Sequence, residues 1–206
     1  MDIYNIINYL KIFGDTQMRR RFWLVLFLSV LTFLAWTEGA FILIYYTIWT
    51  FLLETLYFAL LLTGVESKHL FDMIFAPSIV VFVGFWLVIA PTYITSPKPN
   101  NAMFVLVTHG CNALALVSEI RSLSTATLWK PIVYTVVYNL FLVVYVGAGG
   151  RSVSGRLPYW YAEYDKPIGW VFFAISVLAV AAVHVIAATY VWPATKQSVL
   201  LKQYIV

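Results

Sequence analysis

The chain has 206 residues, of which 62% are hydrophobic and only 11% are charged, and its formal net charge is +4. Since a soluble domain carries about 25% charged residues, this composition excludes an ordinary soluble protein and predicts a single multi-pass membrane domain over residues 1–206. The basic residues flank apolar segments, where they are typical of topology signals, so a nucleic-acid partner is not expected.

The first predicted element is an amphipathic helix at residues 1–16. Its isoleucine, leucine and phenylalanine side chains repeat on one helical face, while Asp2, Asn5, Asn8 and Lys11 fall elsewhere. This pattern is typical of a helix that lies in the membrane interface. It is equally typical of a helix that docks on the membrane spans or on a partner protein, so both interpretations stay open.

Six apolar runs follow this helix. A bilayer core about 30 Å thick needs roughly 20 apolar residues per helix. On this basis residues 20–192 predict an all-α bundle of six transmembrane helices, at about 20–37, 41–63, 72–95, 103–121, 131–148 and 168–192. Turn-forming residues separate the later spans at SPKPNN (96–101) and GAGGRSVSGRLP (147–158).

An even number of spans places both termini on one side of the membrane. Most lysine and arginine residues, including Arg19, Arg20 and Arg21, then lie on the side of the termini. The positive-inside rule therefore predicts an N-in, C-in integral membrane protein. Residues 193–206 become a tail in the cytosol or in an organelle matrix, and any of the endoplasmic reticulum, plasma and organelle membranes fits.

Ionisable and amide side chains inside a span are costly, so each is a candidate functional residue. Glu54, His109, His184, Asn112 and Asn139 fall inside the predicted spans. Glu38 and Glu119 fall near span ends, where a charged side chain requires no special role.

Thr47 and His109 are predicted to lie at the same depth. Each is six residues inside the outer end of its span, counted from Phe41 and Met103. A rise of about 1.5 Å per residue puts both roughly 9 Å below the same surface. A hydroxyl facing an imidazole is the smallest nucleophile and base pair for attack on a carbonyl carbon. The structural alternatives are a threonine bonded to its own helix and a histidine that joins two helices.

Glu54 and Asn112 are predicted to form a second polar layer below this pair. Glu54 lies two turns after Thr47 on the same face, and Asn112 lies about one turn after His109. Such groups orient a histidine or hold an internal hydrogen-bond network. No histidine or cysteine spacing indicates a metal site, and no glycine-rich phosphate loop precedes a helix, so neither a metal nor a cofactor is expected.

Three stretches in order resemble a known superfamily: YYTIWTFLLETLYF at 45–58, THGCNALALVSEIRS at 108–122, and YTVVYNLFLVVYVGAGGRSVSGRLPYWYAEYDKPIGWVFF at 134–173. They resemble the androgen-induced and androgen-dependent TFPI-regulating membrane hydrolases, a superfamily that includes the insect Rolling stone protein and bacterial relatives. The resemblance covers about residues 20–192. It rests on a threonine in the second span and a histidine ten residues before an acid in the fourth, here Thr47, His109 and Glu119.

The resemblance implies a threonine nucleophile at Thr47 and a histidine base at His109. The hydrolase branch of the superfamily cleaves fatty-acid esters of hydroxy fatty acids. The Glu119-Ile120-Arg121 ending resembles that branch, whereas Asn112 and the AGGRSVSGRLPYWYAEYD stretch resemble the Rolling stone branch, which is associated with cell fusion.

Two main hypotheses follow, with the lipid bilayer as the common partner. The first is an intramembrane lipid-ester hydrolase, which predicts Thr47 and His109 within about 8 Å and a polar cavity that opens sideways between the second and fourth spans. The second is a non-catalytic membrane subunit or scaffold of a larger complex, which predicts membrane-protein partners and polar atoms that are all satisfied internally. A third, weaker hypothesis is a proton or ion pathway through Glu54, His184 and Asn139.

Overall fold

The computed structural model describes residues 16–91, 107–119, 123–152, 154–159 and 161–191. Its regular elements in these ranges are all helical, so the predicted all-α class is confirmed for them. Residues 1–15 of the predicted interfacial helix, the turn at 96–101 and the tail at 193–206 lie outside the described residues.

Six α-helices follow one another in the described ranges. They are α1 (Thr16–Glu38), α2 (Tyr46–Leu62), α3 (Lys68–Gly84), α4 (Asn112–Ser118), α5 (Trp129–Gly147) and α6 (Pro167–Ile186). A 3₁₀ helix, Gly39–Ile44, joins α1 to α2, and a second one, Thr125–Thr127, precedes α5. Three π turns extend the helices: Phe85–Ile89 after α3, Val107–Cys111 before α4 and Ala187–Val191 after α6.

Four helical segments are long and apolar enough to cross a membrane, which is compatible with an integral membrane protein. They are Thr16–Thr37, Lys68–Leu87, Thr125–Gly147 and Pro167–Val191. Helix α2 is apolar but shorter, and only Val107–Ser118 of the predicted fourth span is described as helical. The number of six spans and the N-in, C-in orientation therefore stay predictions.

Helix α3 lies at the centre of the bundle. It contacts α2, α4, α5 and α6, while α1 packs on the outside of α2. In the most apolar stretch of α3 half of the residues are buried, whereas in the corresponding stretch of α1 only 11% are. Helix α3 begins at Lys68, four residues before the predicted start, because Ser67 caps it by accepting the amide of Leu70 at 3.3 Å.

One end of the bundle carries two clusters of ion pairs, each around a buried carboxylate, and we call it the basic end. Arg19 and Arg20 each place an Nη2 atom 2.9 Å from a different oxygen of Glu119. At the start of α3, Asp72 is fully buried and bonds Lys68 at 2.9 Å and Lys130 of α5 at 3.3 Å. These pairs hold α1 to α4 and α3 to α5.

The expectation that Glu119 has no special role is wrong. Its side chain is only 3% exposed, and it accepts from two guanidinium groups that lie about a hundred residues away in the chain. A buried carboxylate is retained only where cations and hydrogen bonds compensate its lost hydration. Glu119 is therefore a structural link at the basic end.

Candidate active site

The first turn of α2 is fixed by phenol groups from other parts of the chain. Tyr159 accepts the backbone amide of Tyr46 at 2.9 Å, and Tyr138 of α5 donates to the carbonyl of Ile44 at 2.6 Å. Burial raises the pKa of Tyr159 to about 12, so its hydroxyl keeps its proton at neutral pH. The residue after Tyr46 is Thr47, whose side chain is thus held at a defined position.

Thr47 and His109 meet across the interface between α2 and the π turn that precedes α4. The Thr47 Oγ1 atom lies 3.2 Å from the His109 Nε2 atom. Thr47 is buried and His109 is half-buried. The two groups that were predicted at equal depth are thus brought within hydrogen-bonding distance.

Two further side chains hold the imidazole. The Thr108 Oγ1 atom lies 2.9 Å from His109 Nδ1, and the Phe85 ring stacks on the imidazole with the ring centroids 5.0 Å apart. When Nδ1–H donates to Thr108, the Nε2 atom carries the lone pair and faces the Thr47 hydroxyl. Sequence reasoning missed Thr108, although it directly precedes the histidine.

His109 and Phe85 both lie in π turns. The histidine belongs to Val107–Cys111, and Phe85 opens the π turn at the end of α3. Single π turns within helices are frequent at functional sites because they change which way a side chain points. The local backbone thus departs from a regular helix at the place where the polar pair forms.

Glu54 and Asn112 are both fully buried, as a second polar layer requires. The Ser78 hydroxyl of α3 donates to Glu54 Oε1, and Asn112 Oδ1 accepts the Ala113 amide at 2.8 Å. Glu54 Oε2 and Asn112 Nδ2 are buried without a hydrogen-bond partner. Their predicted support of the histidine therefore stays a prediction.

The polar residues of the predicted ion pathway bond to separate elements. His184 Nε2 lies 2.9 Å from the Ser124 carbonyl near the basic end. Asn139 of α5 donates to the Thr135 carbonyl and to Ser176 of α6. With Glu54 bonded to α3 instead, these contacts favour helix-to-helix links over one continuous relay.

Two cavities among the described residues have walls that do not include the Thr47–His109 pair. An open apolar groove of about 570 Å³ is lined by Leu43, Trp49, Leu52, Leu53, Met73, Tyr134 and Phe141. A smaller cavity of about 110 Å³ lies between α5 and α6 and contains Asn139 and Ser176 in its wall. Neither is lined by Thr47 or His109, so the predicted side opening to the pair stays a prediction.

His109 thus has a threonine hydroxyl within hydrogen-bonding distance of each ring nitrogen, Thr47 at Nε2 and Thr108 at Nδ1. Across the described ranges no group of three or more histidine, cysteine, aspartate or glutamate residues comes together as a metal site. The chain matches no family model, no curated protein and no solved structure.

Proposed function

We propose that the chain is an intramembrane hydrolase of lipid esters, with Thr47 as nucleophile and His109 as general base. The observation that carries the proposal is the contact of 3.2 Å between Thr47 Oγ1 and His109 Nε2, together with the hydrogen bond of 2.9 Å between His109 Nδ1 and Thr108 Oγ1. A nucleophile that contacts a base, which in turn contacts an orienting group, is the general arrangement of a catalytic triad.

The reaction would begin when His109 Nε2 takes the Thr47 proton and Oγ1 attacks the ester carbonyl carbon. The imidazolium then gives the proton to the leaving alkoxide as the carbonyl re-forms, leaving an acyl ester on Thr47. The Thr47 amide is a candidate donor to the oxyanion, because an N–H in the first turn of α2 has no acceptor within the helix.

The substrate class follows from the surroundings of the pair. Helix α2 is apolar in overall composition, and the pair lies inside a protein whose long helices suit a bilayer. An ester with acyl chains would therefore reach the pair from the lipid. The resemblance to the androgen-induced hydrolases makes fatty-acid esters of hydroxy fatty acids the first substrates to test.

The scaffold hypothesis is less well supported by the buried polar groups. It predicts that all intramembrane polar atoms are satisfied internally, yet Glu54 Oε2 and Asn112 Nδ2 are buried without partners. The many exposed apolar side chains of α1 and α6 fit either hypothesis, because lipid covers such faces as well as a partner protein does.

Labelling with a fluorophosphonate tests the nucleophile directly. We expect the wild-type protein in native membranes to be labelled on Thr47, and Thr47→Ala to lose the label, because the probe traps only an activated hydroxyl. The adduct is located by mass spectrometry of the peptide that contains residues 45–58. The absence of any label on folded wild type would contradict the proposal.

Thr55→Ala is the matched control for this experiment. Thr55 lies two turns further along α2 and is as buried as Thr47, each being 8% exposed. Its hydroxyl donates to the Phe51 carbonyl at 2.7 Å, as threonines in membrane helices usually do. Thr55→Ala should therefore keep full labelling, whereas an equal loss in both variants would indicate misfolding.

Thr108 is expected to act as a positioning residue. Thr108→Val keeps the side-chain shape but removes the oxygen next to His109 Nδ1, so ester turnover should fall about 10-fold to 100-fold, the range typical of lost orienting contacts. Thr108→Ser restores the oxygen and should restore most of the rate. Equal rates in Thr108→Val and wild type would contradict the orienting role.

A further inference from the structure

We propose that Glu54 and Asn112 hold buried water beneath the Thr47–His109 pair, and that this water hydrolyses the acyl ester formed on Thr47. The water site stands on the geometry of these two side chains. Its use in the reaction rests on the proposed function.

The two side chains present complementary atoms. Glu54 Oε2 is a carboxyl oxygen that water can bond whether or not it carries the proton, and Asn112 Nδ2 donates a hydrogen bond. Both atoms are buried without a partner in residues that are 0% exposed. Buried polar atoms are almost always hydrogen-bonded to protein or to ordered water. One water molecule that accepts from the amide and bonds the carboxyl oxygen satisfies both.

Both residues lie on elements that pack against each other, because α2 contacts both α4 and the π turn that precedes it. Above them, Thr47 meets His109 at 3.2 Å. Below them, Phe58 of α2 and Leu116 of α4 belong to one buried apolar cluster. Glu54 and Asn112 occupy the intervening part of each helix, so their polar groups belong to one layer of this interface.

The Glu54 and Asn112 side chains are also expected to tilt toward the Thr47–His109 pair. A helical side chain tilts toward the N-terminus of its helix. For Glu54 this is the Thr47 end of α2, and for Asn112 it is the π turn that carries His109. Water held by these groups would therefore lie on the side of the layer that faces the pair.

An acyl enzyme inside a membrane needs such a water supply, because lipid holds almost none. In the proposed step His109 Nε2 takes a proton from this water, and the oxygen of the water attacks the acyl carbon. The bond to Thr47 Oγ1 breaks, that oxygen takes the proton back from His109, and a carboxylic acid leaves.

Hydroxyl-radical footprinting of the full-length protein in nanodiscs tests the water site without relying on activity. Irradiation generates radicals from bound water, which label only neighbouring side chains. Phe51 and Phe58 are equally buried and lie one turn before and one turn after Glu54 on α2. Because the Glu54 side chain tilts toward the N-terminal turn, we expect Phe51 to be labelled and Phe58 not to be. An unlabelled Phe51 in wild type would overturn the water site.

Asn112→Leu should remove the Phe51 label, and Asn112→Ser, which keeps a polar group, should retain it if the leucine variant does not fold. Asn139→Leu is the matched control, because Asn139 is also buried but already donates to Thr135 and Ser176. That variant should keep the label, and its loss there would overturn the assignment of the water to Asn112.

Burst kinetics with p-nitrophenyl octanoate test the use of the water. Asn112→Leu should give the wild-type burst of nitrophenol but a steady rate about tenfold lower, since one hydrogen bond to the reacting water is lost. A wild-type steady rate in Asn112→Leu would overturn the supply role. No burst and no fluorophosphonate label in wild type would overturn the proposed function instead, and footprinting would still decide the water site.

Discussion

His109→Ala is expected to lower ester hydrolysis about 10³-fold, since general-base catalysis contributes about 10²-fold to 10⁴-fold. The ring nitrogen that faces the Thr47 hydroxyl at 3.2 Å would be gone, and a threonine hydroxyl without a base is a weak nucleophile. The effect should appear in kcat more than in KM, because the imidazole would act on the proton transferred in the transition state and would not bind the acyl chains. The measurement is turnover of a fatty-acid ester of a hydroxy fatty acid by purified protein in nanodiscs.

His184→Gln is the appropriate control for this variant. His184 is fully buried in α6, but its Nε2 atom bonds the Ser124 carbonyl far from Thr47. A glutamine amide can donate the same bond, so turnover should stay within a few-fold of wild type. Retention of full turnover in His109→Ala would show that another group serves as the base and would refute the proposed pair.

Glu119→Ala is expected to cost about 3 kcal/mol of stability. Removing one partner of a buried ion pair typically costs about 3–5 kcal/mol, because the remaining charge stays desolvated. We expect a value at the lower end of this range, because Arg19 and Arg20 are 12% and 14% exposed. Their long side chains can extend toward water at the membrane surface. Denaturation of the purified protein by SDS in mixed micelles, followed by far-UV circular dichroism, measures the change.

Glu163→Ala separates this effect from a general loss of negative charge. Glu163 also pairs with a cation, Lys166, but both side chains are more than a third exposed. An exposed pair contributes little, so this variant should unfold at nearly the wild-type SDS fraction. Equal shifts for the two variants would contradict the structural role assigned to Glu119.

The pairing of Thr47 with His109 could be predicted because depth within a helix is a matter of counting. A constant rise per residue converts sequence position into height, and both residues lie six positions from a recognisable span end. The rotation of a helix about its axis is not given by such counting. The same method therefore could not tell whether Asn112 would contact the histidine.

The contact between Thr108 and His109 could not be predicted for a related reason. Neighbouring residues on a regular helix point about 100° apart and do not face each other. Thr108 contacts the ring of the next residue within a π turn, and the sequence carries no recognised signal for that turn. The Glu119 pairs were missed because they depend on which helices become neighbours, and one sequence does not reveal that.

The start of α3 was misjudged although a signal was present. Ser67 followed by Leu70 at the third position fits a helix cap, but Lys68 and Asp72 lower the hydropathy there. A prediction from hydropathy alone therefore places the start of this helix too late in the sequence. The ion pair between Lys68, which is half exposed, and the buried Asp72 compensates the charges that lower the hydropathy of this segment.

The π turn at Val107–Cys111 makes the length of this segment as important as its composition. Its i to i+5 bonding holds one residue more than a turn of α-helix would. A chain shortened by one residue here would keep its histidine, yet the preceding residues would swing by about 100° around the helix axis. When other sequences are searched for the same arrangement, a histidine at the matching position is thus insufficient. The spacing from that histidine to the acid of the Arg19 and Arg20 cluster must be preserved as well.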